Sequence, residues 1–337
     1  MILRTFAAGA ACVVLLGTQP AGPARQLDAL AARYYAQAAR IAAATGRDCA
    51  MDYYQRLLDD ASMFDSAAPS GVSAASWEEL RQNFVRLDSS LATQLLDSAY
   101  QPMASVRGLG ESFVRSSKDA TMQPVAVYVP RSYSPSRPAP LLIFLHGRLQ
   151  AESHLLSPQY IADLAEQTGT IVVAPYARGY YDYNGSESDV YDAFDAASSA
   201  FNIDVRRRYL AGYSMGGFSV FKIAPMHPSD WSAVMSIAGS LLNSRAARVL
   251  SSLSRTRFYV LTGAQDPIVQ TNFAIDTAVF LRDSGLPVTF YSQPDGTHSI
   301  YTLHSILAQA WLDMERGVVR SPAGLTGNGS LPEALSQ

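Results

Sequence analysis

From residue 26 to about residue 104, apolar side chains recur at spacings of three and four. Leu27, Leu30, Tyr34, Ala38 and Ile41 fall on one helical face, and further helices are expected over 49–58 and 77–96. Ser76, with Glu79 three residues on, has the spacing of a capping box for the last of these. The stripes Leu27, Leu30, Tyr34, Ile41 and Trp77, Leu80, Phe84, Leu87 must bury against something, and packing on the rest of the chain is expected. After about residue 106 the pattern changes. Short β-branched and aromatic runs at 125–129, 141–145, 170–175, 208–211, 233–238, 258–262 and 288–292 alternate with amphipathic stretches at 157–167, 190–201, 217–224, 271–283 and 300–315. Such alternation predicts an α/β fold, a mostly parallel sheet flanked by helices. Only a Pro/Ser loop joins the first two runs, so the sheet is expected to begin antiparallel.

The segment 1–24 stands apart. Arg4 precedes an apolar run, and Pro, Gly and Ala follow it, the layout of a secretory signal with cleavage near 21–24. An ordinary apolar helix is the alternative, and the run is too short to span a bilayer, which needs about 20 residues. The chain therefore divides into a signal (1–24), a helical extension (25–105), an α/β domain (106–316) and a Gly/Pro/Ser-rich tail (317–337) expected to be disordered. Without the signal and its Cys12, Cys49 is the only thiol; with no His near it in sequence, a buried small side chain is expected. Secreted or periplasmic localisation follows from the signal.

Composition narrows the partners. The 337 residues carry 26 basic and 29 acidic side chains, a net charge of −3, and the longest basic run is Arg206-Arg207-Arg208. Nothing there is an electrostatic footprint for nucleic acid.

The candidate chemistry begins at Gly212-Tyr213-Ser214-Met215-Gly216, a G-x-S-x-G sequence between an expected strand and an expected helix. Flanking glycines allow a sharp turn that lifts the Ser214 hydroxyl clear of the sheet at a helix N-terminus. A serine hydroxyl needs a base, and the base an orienting acid. In this architecture they follow in the order acid, then His, each past a strand. Asp266 follows the 258–262 run and His298 the 288–292 run. Asp266 could instead form the turn before Pro267, and Asp295 is the rival acid. His146 reads as a loop residue, His304 as helical, and His154 and His227 as lying in loops with no acid in register.

These segments, from 124 to 316, resemble the α/β-hydrolase superfamily. The likeness is to secreted esterases akin to feruloyl and acetylxylan esterases, to polyhydroxybutyrate depolymerases, and to the prolyl oligopeptidase catalytic domain. It implies a serine carboxylic-ester hydrolase acting on a small-molecule or polymer-linked ester through an acyl-enzyme. No cofactor, metal, nucleic-acid partner or stable membrane insertion is implied. It also implies that His146-Gly147 shapes an oxyanion loop, with Met215 giving one backbone N–H and Arg148 the other. The Arg148 side chain either reads the substrate or folds back on Glu152 or Asp182. In the tyrosine-dense loop after 175, Tyr176 and Tyr180 are candidate substrate contacts, or else rings packed on the core. A prolyl oligopeptidase-type peptidase and a catalytically inactive binding module are the alternative functions. The helices at 25–105 match nothing in that family's core.

Overall fold

A computed structural model describes residues 23–63, 66–69, 71–178, 182–242, 249–327 and 331. The signal expected at 1–24 lies almost wholly outside them. Eight strands form one sheet: β1 (Gly108–Arg115), β2 (Met122–Val129), β3 (Ala139–Leu145), β4 (Ile171–Pro175), β5 (Ile203–Tyr213), β6 (Ala233–Ile237), β7 (Arg257–Gly263) and β8 (Val288–Gln293). Their order is β1-β2-β4-β3-β5-β6-β7-β8. β2 pairs antiparallel with β1 and with β4, and every later pairing is parallel. The sheet does begin antiparallel, but β2 and β3 are not neighbours, because β4 returns between them. β3, β6 and β7 are buried over most or all of their length, and β5 over its second half, as expected of central parallel strands covered on both faces.

One face carries α5 (Glu152–Leu156), α6 (Gln159–Thr168) and α10 (His304–Arg316), whose Leu156, Ile161, Leu307 and Trp311 pack on Phe144, Tyr209 and Leu261. The other carries α7 (Glu187–Ala200), α8 (Met215–Ile223) and α9 (Thr271–Asp283), whose Val190, Val220 and Ala278 pack on Ile143, Leu210 and Val260. The chain leaves β3 toward β4 on one side and then continues from β5 outward on the other. The carboxyl ends of β3 and β5 therefore flank the crevice where an open α/β sheet binds ligands.

The N-terminal helices are α1 (Pro23–Ala36), α2 (Ala38–Thr45), α3 (Arg47–Ser62) and α4 (Ala74–Asp97). The first expected helix breaks at Gln37, and the α4 cap is Ser73, which accepts from Ser76 N at 3.1 Å, in place of Ser76 itself. Leu27, Tyr34, Ile41, Tyr53 and Leu91 form a cluster that takes in Phe113 of β1 and Tyr176 after β4, so the helices are packed on the sheet domain. Cys49 is buried there, and burial pushes its thiol up to about 11.

The tail departs from expectation over its described part. Arg320 pairs with Asp313, Tyr259 donates to Val318 O at 2.8 Å, Arg282 donates to Leu325 O at 2.8 Å, and Leu325 packs on the core. Composition suggested disorder, but these part-buried hydrogen bonds and the Arg320–Asp313 pair tie residues 318–325 to the domain.

Between α3, α4, β1 and α5 lies a charged cluster: Arg56, Asp60, Asp88, Glu111 and Glu152, each at most 6 % exposed. Arg56 pairs with Asp88, donates to Glu152 Oε1 at 2.6 Å, and lies 3.8 Å from Glu111 Oε1. Carboxyl groups outnumber the guanidinium. Glu111 makes no side-chain hydrogen bond among the described residues, and burial, with Glu152 beside it, holds its carboxyl well above the ordinary 4.5. A raised folded-state pKa gives stability that is complete below the unfolded value and is lost as the pH rises toward the folded one. Glu111→Gln removes that loss, so its melting temperature relative to wild type should climb steadily as the pH rises above about 4.5. Paired thermal melts across the pH range check this; a difference independent of pH means Glu111 holds no extra proton.

Candidate active site

β5 ends at Tyr213 and α8 starts at Met215, leaving Ser214 alone to turn the chain. It does so at φ 50° and ψ −114°, a conformation that L-residues adopt at a cost of about 1–3 kcal/mol. The space around it explains the glycines. A Cβ on Gly212 would sit 2.2 Å from the carbonyl carbon of Gly216, and one on Gly216 would sit 2.4 Å from Leu145 O. Ser214 N donates to Ile237 O at 2.8 Å and Gly216 N to His146 O at 3.2 Å, tying the turn to β6 and to the end of β3.

The loops after β7 and β8 meet at this turn. Gln265 N donates to Gly296 O at 2.9 Å and Ala264 N to Gln293 O at 2.8 Å, so the Asp266 and His298 loops are bonded to each other. Asp266 Oδ1 accepts from Ile268 N and Val269 N, both at 2.8 Å, which leaves Oδ2 to accept from His298 Nδ1 at 2.7 Å. With its proton on Nδ1, the imidazole presents a lone pair at Nε2, and Ser214 Oγ donates to it at 2.8 Å. Tyr213 Oη donates to His298 O at 2.6 Å and its ring lies 5.6 Å from the imidazole. That tyrosine was present in the Gly212–Gly216 sequence, but only the fold gives it this task. The structure thus joins Ser214, His298 and Asp266 in one chain of bonds. Asp295 is exposed and instead accepts from Gln293 Nε2 at 2.5 Å.

The β3–α5 loop forms the facing wall. His146 is fully buried, its Nδ1 2.8 Å from Gly147 O and its Nε2 3.2 Å from Tyr176 O. Burial lowers its pKa, against the pull of the two carbonyl oxygens that face its nitrogens. Gly147 N donates to Gln150 Oε1 at 3.1 Å, and Leu149 turns through φ 60°. Arg148 is exposed on this loop. One of the partners expected for it, Glu152, is bonded by Arg56.

The structure bears on two further expectations. Of the two readings of Tyr176, the structure matches the packed ring: it is 1 % exposed, stacked on His146 and covered by α3, with its hydroxyl donating to Asp52 Oδ2 at 2.7 Å. His154 does have an acid partner, Asp60 of α3, at 3.0 Å, and burial with Arg56 nearby pushes its pKa down to about 4. Tyr180 lies outside the described residues. No group of three or more metal-ligating side chains comes together among the described residues.

Comparison with known proteins locates this arrangement. Residues 119–255 match a family model described as "Putative esterase". A bifunctional acetylxylan esterase/xylanase from Neocallimastix patriciarum is 34 % identical over 104 residues, 29 % of this chain and 15 % of that one. A "Probable feruloyl esterase C" from Aspergillus oryzae is 25 % identical over 183 residues, 51 % of this chain and 66 % of that one. The chain thus spans less than two thirds of either relative. Among solved structures, a ferulic acid esterase superposes with a TM-score of 0.52 at 19 % identity, covering 62 % of this chain and 98 % of that one. A thermostable esterase superposes with a TM-score of 0.51 at 19 % identity, covering 63 % of each chain. Sheet order and the superposed structures agree on an α/β-hydrolase fold, and over residues 119–255 the chain is similar to the esterase family, with feruloyl and acetylxylan esterases among its distant relatives.

Proposed function

We propose that the protein is a secreted serine carboxylic-ester hydrolase working through Ser214, His298 and Asp266. The observation that carries this reading is the bonded relay, 2.7 Å from Asp266 to His298 and 2.8 Å from His298 to Ser214, ending on a strained turn at a helix N-terminus. Ser214 Oγ attacks the ester carbonyl carbon as its proton passes to His298 Nε2, and Asp266 stabilises the imidazolium and holds its orientation. The carbonyl oxygen, now an oxyanion, is received by the Met215 N–H at the start of α8 and by the Arg148 N–H. Collapse expels the alcohol with the proton from His298. Water, deprotonated by the same imidazole, then frees the acid and restores Ser214.

The substrate class we assign is an acetyl or feruloyl ester on a small molecule or a polymer, the chemistry named for the sequence relatives. Export rests on the leader pattern at 1–24. No helix among the described residues is long and apolar enough to cross a membrane.

Hydrolysis of p-nitrophenyl acetate, methyl ferulate and acetylated xylan, set against a peptide amide, tests the reading. Wild type should cleave at least one ester, and Ser214→Ala should abolish that activity. Asp266→Asn should lower turnover by about 10²–10⁴, because the imidazole loses its orienting acceptor, whereas Asp295→Asn should change it little. The reverse ranking moves the acid to Asp295.

Arg148→Ala keeps the backbone donor and removes only the guanidinium. If that side chain reads the substrate, neutral esters retain their rates while carboxylate-bearing esters lose about 1–3 kcal/mol of transition-state binding. Equal losses on both classes assign the side chain to holding its own loop.

A further inference from the structure

The β3–α5 loop, which presents the Arg148 amide, has little to hold it from within. Leu149 is 55 % exposed and sits at φ 60°, where a leucine side chain crowds its own backbone. Within the loop, Gly147 and Gln150 are joined by a pair of bonds, at 3.1 and 3.3 Å. Several firm contacts come from outside, and one helix supplies a row of them.

Asp52, Arg56 and Asp60 stand at i, i+4 and i+8 of α3, on one face. Each holds a residue at or near an end of the loop. Asp52 accepts from the Tyr176 hydroxyl at 2.7 Å, and the Tyr176 carbonyl lies 3.2 Å from His146 Nε2. His146 in turn reaches Gly147 O through Nδ1, and the imidazole and Tyr176 rings are stacked, 5.9 Å apart at 14°. That path fixes the start of the loop. Arg56 fixes its end, donating to Glu152 Oε1 at 2.6 Å and to Ser153 Oγ at 2.7 Å, both residues fully buried. Asp60 meets His154 Nε2 at 3.0 Å one residue further on. Asn83 of α4 donates to Ser157 O at 3.0 Å, just past the end of α5.

We propose that α3 positions the oxyanion loop, with Asp52, Arg56 and Asp60 as positioning residues that set where the Arg148 N–H lies. The proposal rests on the esterase reading above. The helical extension is then a working part of the active site without touching substrate. An oxyanion donor acts only on the tetrahedral state, so moving it lowers kcat and leaves ground-state binding alone.

The experiment compares wild type, Tyr176→Phe, Asp60→Asn and Arg56→Lys on the ester that wild type cleaves best. Active-site titration with a fluorophosphonate gives turnover per competent serine, so a merely misfolded fraction does not register. Tyr176→Phe deletes one hydroxyl and keeps the ring. It should lower kcat by about 3–10-fold with KM unchanged, and weaken inhibition by a trifluoromethyl ketone, which forms an oxyanion on Ser214, by the same factor. Arg56→Lys loses the planar fork and should cost kcat about 10–100-fold in the same pattern. Asp60→Asn should fall between wild type and Arg56→Lys. If Arg56→Lys does not fold, Tyr176→Phe and Asp60→Asn decide. Unchanged kcat per titrated site in those variants, or losses that appear in KM alone, overturn the brace while the esterase reading stands. A wild type that cleaves no ester, or a Ser214→Ala variant that keeps activity, overturns the esterase reading and the brace with it.

Discussion

The Ser214 amide bonded to Ile237 O at 2.8 Å and the Gly216 amide bonded to His146 O at 3.2 Å pin a turn that no isolated peptide would keep. Strand β6 on one side and the end of β3 on the other hold Ser214 at positive φ, where its backbone is strained. Both anchors come from the sheet, which is buried on two faces and has no freedom to relax. The same close approach excludes any side chain at Gly212 or Gly216. Everything else at the site is arranged around that fixed hydroxyl.

The remaining parts reach the turn by cross-bonded loops. Asp266 and His298 follow adjacent parallel strands, β7 and β8, which are in register, so their loops leave the sheet side by side. Backbone bonds from Ala264 and Gln265 then lock one loop to the other. Asp266 has one oxygen committed to two backbone amides and the other to the imidazole. The acid is thereby oriented before it orients anything.

Strand–helix alternation made the parallel sheet legible in the sequence, and the turn residues made Ser214, Asp266 and His298 legible, because each depends on local chain chemistry. What depends on non-local pairing was not legible. β1 has Gly108, Gly110, Glu111 and Ser112 where a strand pattern wants apolar residues, since it is an edge strand lying under α4. β5 begins at Ile203, five residues before the expected run, because its first half is a polar, partly exposed stretch whose register against β3 shifts. Tyr176 is open to both readings in the sequence because nothing in its loop announces that α3 covers it. Arg56 and its carboxylates, scattered from 56 to 152, have no sequence signature at all; only burial brings them together.

Arg56 meets Glu152 across 96 residues of chain, and His154 meets Asp60 across 94. During synthesis at about 5–20 residues per second, α3 therefore spends several seconds outside the ribosome before its partners exist. Throughout that interval its stripe of Asp52, Arg56 and Asp60 is solvated, and its aromatic face has only α1, α2 and α4 to cover it. Taking those charges out of water waits until β3 and α5 have emerged, with the loop between them drawn in at the same moment. High contact order at this one seam makes sealing the crevice wall a late event of folding.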